Sequence, residues 1–119
     1  NGLAKTDELA QASIEVEKIN GPILLFSGKE DKVWPSALMA NLIEDRIKES
    51  SFTHSFQNIQ YEDAGHLISS NPEGNSDFRT GKMNIDGKDY EFEYGGTTQG
   101  DANAKYDAKM KVFDFIEKI

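Results

Sequence analysis

The first clear apolar segment of the chain is the run from Ile23 to Phe26, which follows Gly21-Pro22 and ends before Gly28. A short continuous apolar run between glycines is typical of a strand buried on both faces, as in a parallel sheet. Residues 1–18, by contrast, are polar and mixed. Thr6 or Asp7 could cap a short helix over residues 8–12, and residues 1–13 are interpreted as a linker or as cloning-derived sequence.

A helix is predicted after the acidic loop that follows this run. Ser36 stands where an N-cap is expected, ahead of the segment ALMANLIEDRIKES. Apolar residues recur there at spacings of three and four, which places them on one face of a helix. The members of this apolar face are Leu38, Met39, Leu42, Ile43 and Ile47.

Residues 54–61 alternate without a clean apolar face, yet a second strand is the best interpretation because it completes a strand–helix–strand unit. Two strands joined by a helix run parallel and cross over right-handedly in nearly all cases. The strands are therefore expected to end at the same edge of one sheet.

Residues 69–100 form an irregular excursion rich in Gly, Asn, Ser and Asp. Within it, residues 82–85 and 88–94 flank Asp86-Gly87, the strongest two-residue hairpin signal, because a type I′ turn needs positive φ twice. We expect a β-hairpin with Tyr90, Phe92 and Tyr94 on one face.

Asp101 is predicted to cap a last helix that runs to the C-terminus. Its apolar side is broad and contains Tyr106, Met110, Val112, Phe113, Phe115, Ile116 and Ile119. The element order β–α–β, hairpin, α predicts one α/β domain over residues 1–119 that corresponds to half of a doubly wound sheet. Because the chain begins with Asn1, we interpret it as a processed or excised piece.

Composition excludes several classes of function. The net charge of −8 offers no basic stripe to meet phosphates, which argues against nucleic-acid binding. No apolar run approaches the roughly 18 residues that a membrane span needs. The chain has no cysteine, so it contains no disulfide, thiolate zinc site or cysteine nucleophile, although this does not determine the compartment.

Asp31 and His66 are the candidate functional residues, because each follows one of the two predicted parallel strands. Carboxyl ends of such strands are where open α/β sheets hold their working groups, and the order acid then histidine is that of a hydrolase triad. Taken singly, Asp31 would more simply be a solvated loop acid and His66 a loop histidine; jointly, the catalytic interpretation is preferable. His54 has no such context and is expected at the surface.

A metal site built from Asp31, Glu62, Asp63 and His66 is a weaker alternative. It would have one histidine with loop carboxylates at no regular spacing, which is a poor signal for a metal. We therefore predict no metal and no cofactor.

The segment VEKINGPILLFSGKEDKVWPSALMANLIEDRIKE, followed by YEDAGHLI, resembles the C-terminal part of the acyl-CoA thioesterases and bile acid-CoA:amino acid N-acyltransferases. The resemblance is dense over residues 14–68 and returns at Gly95-Gly96 and the terminal helix. It implies an α/β-hydrolase fold, an acyl thioester or ester substrate, Asp31 as the acid and His66 as the general base. The chain departs from the family pattern between Asn71 and Tyr94, which leaves the substrate open.

A nucleophile is missing from this sequence. Among the nine serines only Ser76 comes near a G-x-S-x-G elbow, and it lacks the second glycine and follows the histidine. Ser27 and Ser36 are interpreted as a strand end and a helix cap. The chain is thus expected to supply the acid and base of a Ser(Cys)/His/Asp triad whose nucleophile and oxyanion hole lie outside it, and to be inactive alone.

Two further expectations follow from an incomplete sheet. The bare, apolar edge of the strand at 22–26 favours pairing with another copy, so the isolated chain is expected to self-associate or to have lost upstream residues after folding. The alternative to a hydrolase piece is a non-catalytic interaction module that retains the scaffold and binds through the aromatic face of its hairpin.

Overall fold

The computed structural model describes residues 14–69 and 76–119. The helix predicted over residues 8–12, with its caps Thr6 or Asp7, and the proposed linker at 1–13 lie outside the described residues. The described part contains two helices, two short 3-10 turns and two separate two-stranded sheets. It is an α/β arrangement, in agreement with the predicted class.

The first sheet pairs β1 (Ile23–Gly28) with β2 (Phe56–Tyr61), and α1 (Ser36–Lys48) connects them. The strands are parallel, with Ile23 opposite Phe56 and Gly28 opposite Tyr61. Parallel strands cannot be joined by a tight turn, so a helix crossover is required between them. The predicted strand–helix–strand unit is therefore confirmed.

Ser36 is not the N-cap of α1, contrary to the prediction. The cap position is held by Pro35, without a side-chain cap bond, and Ser36 is the first helical residue. Because the helix begins at this residue, the Ser36 hydroxyl is free to reach back to β1, where it donates to the Gly28 carbonyl oxygen at 3.4 Å.

Burial along β1 also differs from the prediction. Ile23 to Phe26 are only partly buried, while Ser27 and Gly28 at the carboxyl end are fully buried. A two-stranded sheet has too few neighbours to cover both faces of its strands. The buried end of β1 is the end that carries the candidate site.

A small core sits beneath the loop that follows β2. Ala64, Ile68 and Ala104 are buried there, and Phe26 and Tyr61 pack against them. The core joins the two strands to the first half of the terminal helix α2 (Thr98–Glu117).

The apolar faces predicted for the two helices are largely exposed. Most members of each stripe are more than one-third exposed, whereas the buried helical residues are mostly others, such as Ala40 in α1 and Ala104 in α2. The exposed members are Leu38, Met39, Leu42, Tyr106, Met110, Val112, Phe113, Ile116 and Ile119. The periodicity correctly identified the two helices, but most of the face that it marked as apolar is not buried among the described residues.

The hairpin is confirmed. Strand β3 (Thr80–Ile85) pairs antiparallel with β4 (Lys88–Glu93). The two residues that connect the strands, Asp86 and Gly87, have φ of 52° and 81° respectively. Positive φ at both central residues is the type I′ geometry that the sequence predicted.

Asp101 does not cap α2, which corrects the second cap prediction. The helix begins three residues earlier, and the side chain of Thr97 accepts a hydrogen bond from the Gly100 amide at 2.9 Å. Asp101 consequently lies one turn inside the helix, where its side chain is buried.

A two-pronged ion pair ties the 3-10 turn at Val16–Lys18 to α1. The Arg46 guanidinium donates through Nε and Nη2 to the two carboxylate oxygens of Glu17, at 2.6 and 2.9 Å. These hydrogen bonds lower the pKa of Glu17. Planar, bidentate pairs of this kind are the stronger type of charge pair.

Replacing Glu17 with Gln is expected to destabilise the protein at pH 7 and to have little effect in acid. A lowered carboxyl pKa contributes stability above the unfolded value of about 4.3, and this is lost as pH falls through the folded value. Urea unfolding of wild type and E17Q at fixed protein concentration, at pH 7 and near pH 3, measures the difference. The control is E15Q, which removes an exposed pair with Lys18 and should change little at either pH.

Candidate functional site

Asp31 lies just after β1, where its backbone bridges to Gly95 in the loop before α2. Its side chain is 3% exposed, so it is not a solvated loop acid. The backbone amides of Val33 and Trp34 donate to Oδ1 at 2.9 and 3.2 Å. These two bonds orient the carboxylate and leave Oδ2 for another partner.

That partner is His66, which follows the loop after β2. Its Nδ1 lies 3.2 Å from Asp31 Oδ2, and its side chain is one-third exposed. The structure thus brings together the two residues that the sequence placed at neighbouring strand ends. When a buried carboxylate holds an imidazole at Nδ1, the other ring nitrogen, Nε2, is left for a different partner. This is the arrangement of the acid–histidine pair in acyl-transfer enzymes.

Three loops meet at this pair with almost no space between their backbones. A Cβ on Gly95 would stand 1.8 Å from the Glu30 carbonyl oxygen, and a Cβ on Gly65 would stand 2.3 Å from the Gly95 carbonyl oxygen. Gly95 also has φ of +79°, a conformation that side chains disfavour. Glycine is needed here because a larger residue would push the Asp31 loop and the His66 loop apart.

Two aromatic rings flank the His66 imidazole. Tyr94 lies nearly parallel to it, with centroids 6.3 Å apart and an interplanar angle of 7°. Trp34 approaches edge-on at 6.2 Å and remains more than half exposed. The sequence reading assigned Tyr94 to the hairpin face only, so its contact with the histidine was missed.

Asp101 is a second residue whose place the sequence did not reveal. Its Oδ1 accepts the Gly65 backbone N–H at 2.8 Å, and its Oδ2 accepts from Arg79 Nη2 at 2.7 Å. These partners are 36 and 22 residues away along the chain, so no local pattern could indicate them.

The remaining candidates lie outside this arrangement. Glu62 pairs with Lys29. His54, which lies just before the second strand, has its Nε2 3.1 Å from the side-chain oxygen of Asn20. Ser27 is buried without a hydrogen-bond partner among the described residues. No cluster of three His, Asp or Glu side chains able to hold a metal occurs in the described ranges 14–69 and 76–119.

Residues 3–119 match the protein family described as "BAAT / Acyl-CoA thioester hydrolase C terminal". No curated protein matches the chain. Within the part of the chain that the structure describes, neither helix is long and apolar enough to span a membrane.

Substituting Gly95 with Ala is expected to destabilise the protein more than the same change at Gly87. Both glycines have positive φ, but a Cβ on Gly87 meets nothing within 4 Å. G87A should therefore cost about 1–2 kcal/mol from backbone strain alone. G95A should cost roughly 1–3 kcal/mol more because of overpacking. Chemical unfolding of both variants provides the comparison, and equal losses would contradict the close loop packing.

Proposed function

Because the chain belongs to the BAAT / acyl-CoA thioester hydrolase C-terminal family, we propose that it is the C-terminal part of an α/β-hydrolase acting on acyl-CoA thioesters or related esters. In this proposal Asp31 is the acid and His66 the general base of a catalytic triad. The nucleophile, a serine or cysteine, and the oxyanion-hole donors belong to sequence outside these 119 residues.

The contact between His66 Nδ1 and the buried Asp31 carboxylate is the observation that carries this proposal. Nδ1–H donates to Oδ2, which selects the tautomer in which Nε2 has a free lone pair. The two backbone amides on Oδ1 prevent the carboxylate from rotating away. The base is therefore oriented before any substrate arrives.

The reaction then proceeds through two acyl transfers, first to the nucleophile and then to water or an amine. Nε2 takes the proton of the nucleophile as that group attacks the thioester carbonyl, and Asp31 stabilises the resulting imidazolium. Collapse of the tetrahedral intermediate breaks the C–S bond, and the proton passes from Nε2 to the departing thiolate. A water molecule, or an amine in an acyltransferase, next gives its proton to Nε2 as it attacks the acyl-enzyme carbonyl. Collapse of this second tetrahedral intermediate breaks the bond between the acyl group and the nucleophile, and Nε2 returns the proton to the nucleophile, so that the acid or amide is released and the free enzyme is regenerated.

The exposed helical faces support a larger fold around this piece. The stripe on α1 and the stripe on α2 consist of apolar side chains that are largely exposed among the described residues, and so many exposed apolar side chains on two helices favour a partner surface that covers them. In the proposal, the rest of the hydrolase covers them. When the chain is alone, they and the apolar edge of β1 are covered by another copy.

The isolated chain is accordingly expected to self-associate. Light scattering coupled to size-exclusion chromatography at micromolar concentration should give a mass above the monomer's, because the apolar faces gain by being buried. Leu42→Glu together with Phe113→Glu should shift the mass toward the monomer, since both side chains lie more than 40% exposed on these faces. A monodisperse wild-type monomer would count against self-association.

A non-catalytic interaction module is the second candidate. It is favoured by the hairpin, where Met83 and Tyr90 are directly opposite and about half exposed. However, Tyr94, at the end of the same aromatic face, packs on His66. The part of the face nearest the site therefore supports the histidine and is not free for a partner.

Activity of the full-length protein toward acyl-CoA distinguishes the two candidates. His66→Ala and Asp31→Asn should each lower kcat/KM by about 10²–10⁴-fold, the usual contribution of an oriented general base. His54→Ala is the matched control, because this second histidine lies beside Asn20 away from the pair, and it should leave the activity unchanged. Full activity in H66A would overturn the catalytic assignment and leave the interaction module.

A further inference from the structure

The side chain of Asp101 is almost completely buried, at 1% exposure, on a helix that carries neither member of the Asp31–His66 pair. A buried carboxylate is costly unless it is paired and hydrogen-bonded. Both of its oxygens are satisfied: one by the Gly65 N–H and the other by Arg79. The carboxylate thus holds the Ala64–Gly65 peptide, one residue before His66.

The neighbouring contacts make this hold specific to the histidine loop. The His66 N–H donates to the Tyr94 carbonyl oxygen at 3.0 Å, so two successive amides of the loop are fixed. Arg79 also donates from Nη1 to the Gly95 carbonyl oxygen and from Nη2 to that of Ser76, at 3.3 and 2.6 Å. The guanidinium therefore links the Asp101 carboxylate to the loop whose glycines touch the site.

The carbonyl groups of the same loop are held as well. Thr97 N–H donates to the Asp63 oxygen at 2.8 Å, and Glu30 N–H donates to the Ala64 oxygen at 2.9 Å. These contacts come from the backbone and would persist in most side-chain variants. Asp101 is the side chain in this set whose removal leaves a buried amide without its acceptor.

We infer that Asp101 and Arg79 are positioning residues for His66. They fix the Ala64–Gly65 peptide and thereby set the direction of the His66 ring toward Asp31. This inference rests on the proposed function only in calling His66 a base; the geometric claim concerns the ring itself. A displacement of about 1 Å at a reacting group can cost roughly 10²-fold in rate, so a side chain that never meets substrate can still govern the base.

The helix offers a matched control for a merely structural role. Asp107 lies on α2 as well, accepts from the Tyr61 hydroxyl at 2.6 Å and pairs with Lys111. The hydrogen bond from Lys111 lowers the pKa of Asp107, which marks it as a carboxylate that also interacts strongly. It does not hold the histidine loop, so Asp107→Asn tests loss of a helical carboxylate alone.

The experiment compares Asp101→Ala, Asp101→Asn, Arg79→Lys and Asp107→Asn in the full-length protein. Hydrogen exchange at the Gly65 amide measures how firmly this N–H is hydrogen-bonded, and ¹⁵N NMR of the labelled imidazole reports the His66 tautomer. D101A should speed exchange at Gly65 by about tenfold or more, because a hydrogen bond to a charged acceptor is lost, and should reduce the Nδ1–H population of His66. D101N, which keeps an oxygen facing Gly65, and R79K, which keeps the charge, should show smaller changes; D107N should show none.

An unchanged His66 tautomer in a folded D101A protein overturns the inference. If D101A fails to fold, two other measurements still test the inference: the His66 tautomer in R79K and hydrogen exchange at Gly65 in the wild type. A wild-type Gly65 amide that exchanges as fast as an exposed amide cannot be held by Asp101. The two proposals separate cleanly. If D101A changes the His66 tautomer but H66A is active, only the catalytic role of His66 is refuted. If H66A is inactive but D101A leaves the tautomer unaltered, only the positioning role of Asp101 is refuted.

Discussion

Contact between backbones at the carboxyl ends of β1 and β2 is the constraint on which the rest of the structure depends. The loops after the two strands and the loop before α2 approach so closely that a single added Cβ on Gly65 or Gly95 would overlap a carbonyl group. Because the loops touch through main chain, the side chains they carry have little freedom to shift. Asp31 and His66 are held at hydrogen-bond distance by this packing and not by a large hydrophobic core.

The energetics of the fold are divided between two unlike regions. Around the site, the carboxylates of Asp31 and Asp101 are almost completely enclosed, and both are paired. On the helices, apolar side chains that would normally provide the stability are exposed. Burial of such apolar faces is normally the main favourable term in folding, and the proposed larger hydrolase would supply it by covering them.

This division also relates the site to its proposed chemistry. A general base needs a stable orientation and an open approach, and the surroundings of the His66 ring provide for both. The Asp31 carboxylate and the Tyr94 ring hold it from within the chain, while one-third of the side chain stays accessible. In the proposed enzyme, the nucleophile would approach this accessible side from sequence outside the 119 residues.

Local patterns in the sequence determined the two parallel strands, the helix between them, the Asp86-Gly87 turn and the terminal helix, because period and turn chemistry are short-range properties. Chain order also indicated that Asp31 and His66 would meet, since parallel strands end at one edge. Only the tertiary structure decided that Thr97 caps the last helix, and that Asp101 is buried against Gly65 and Arg79. Those contacts join residues that are distant in sequence, and burial depends on what surrounds a residue in space, which no local pattern records.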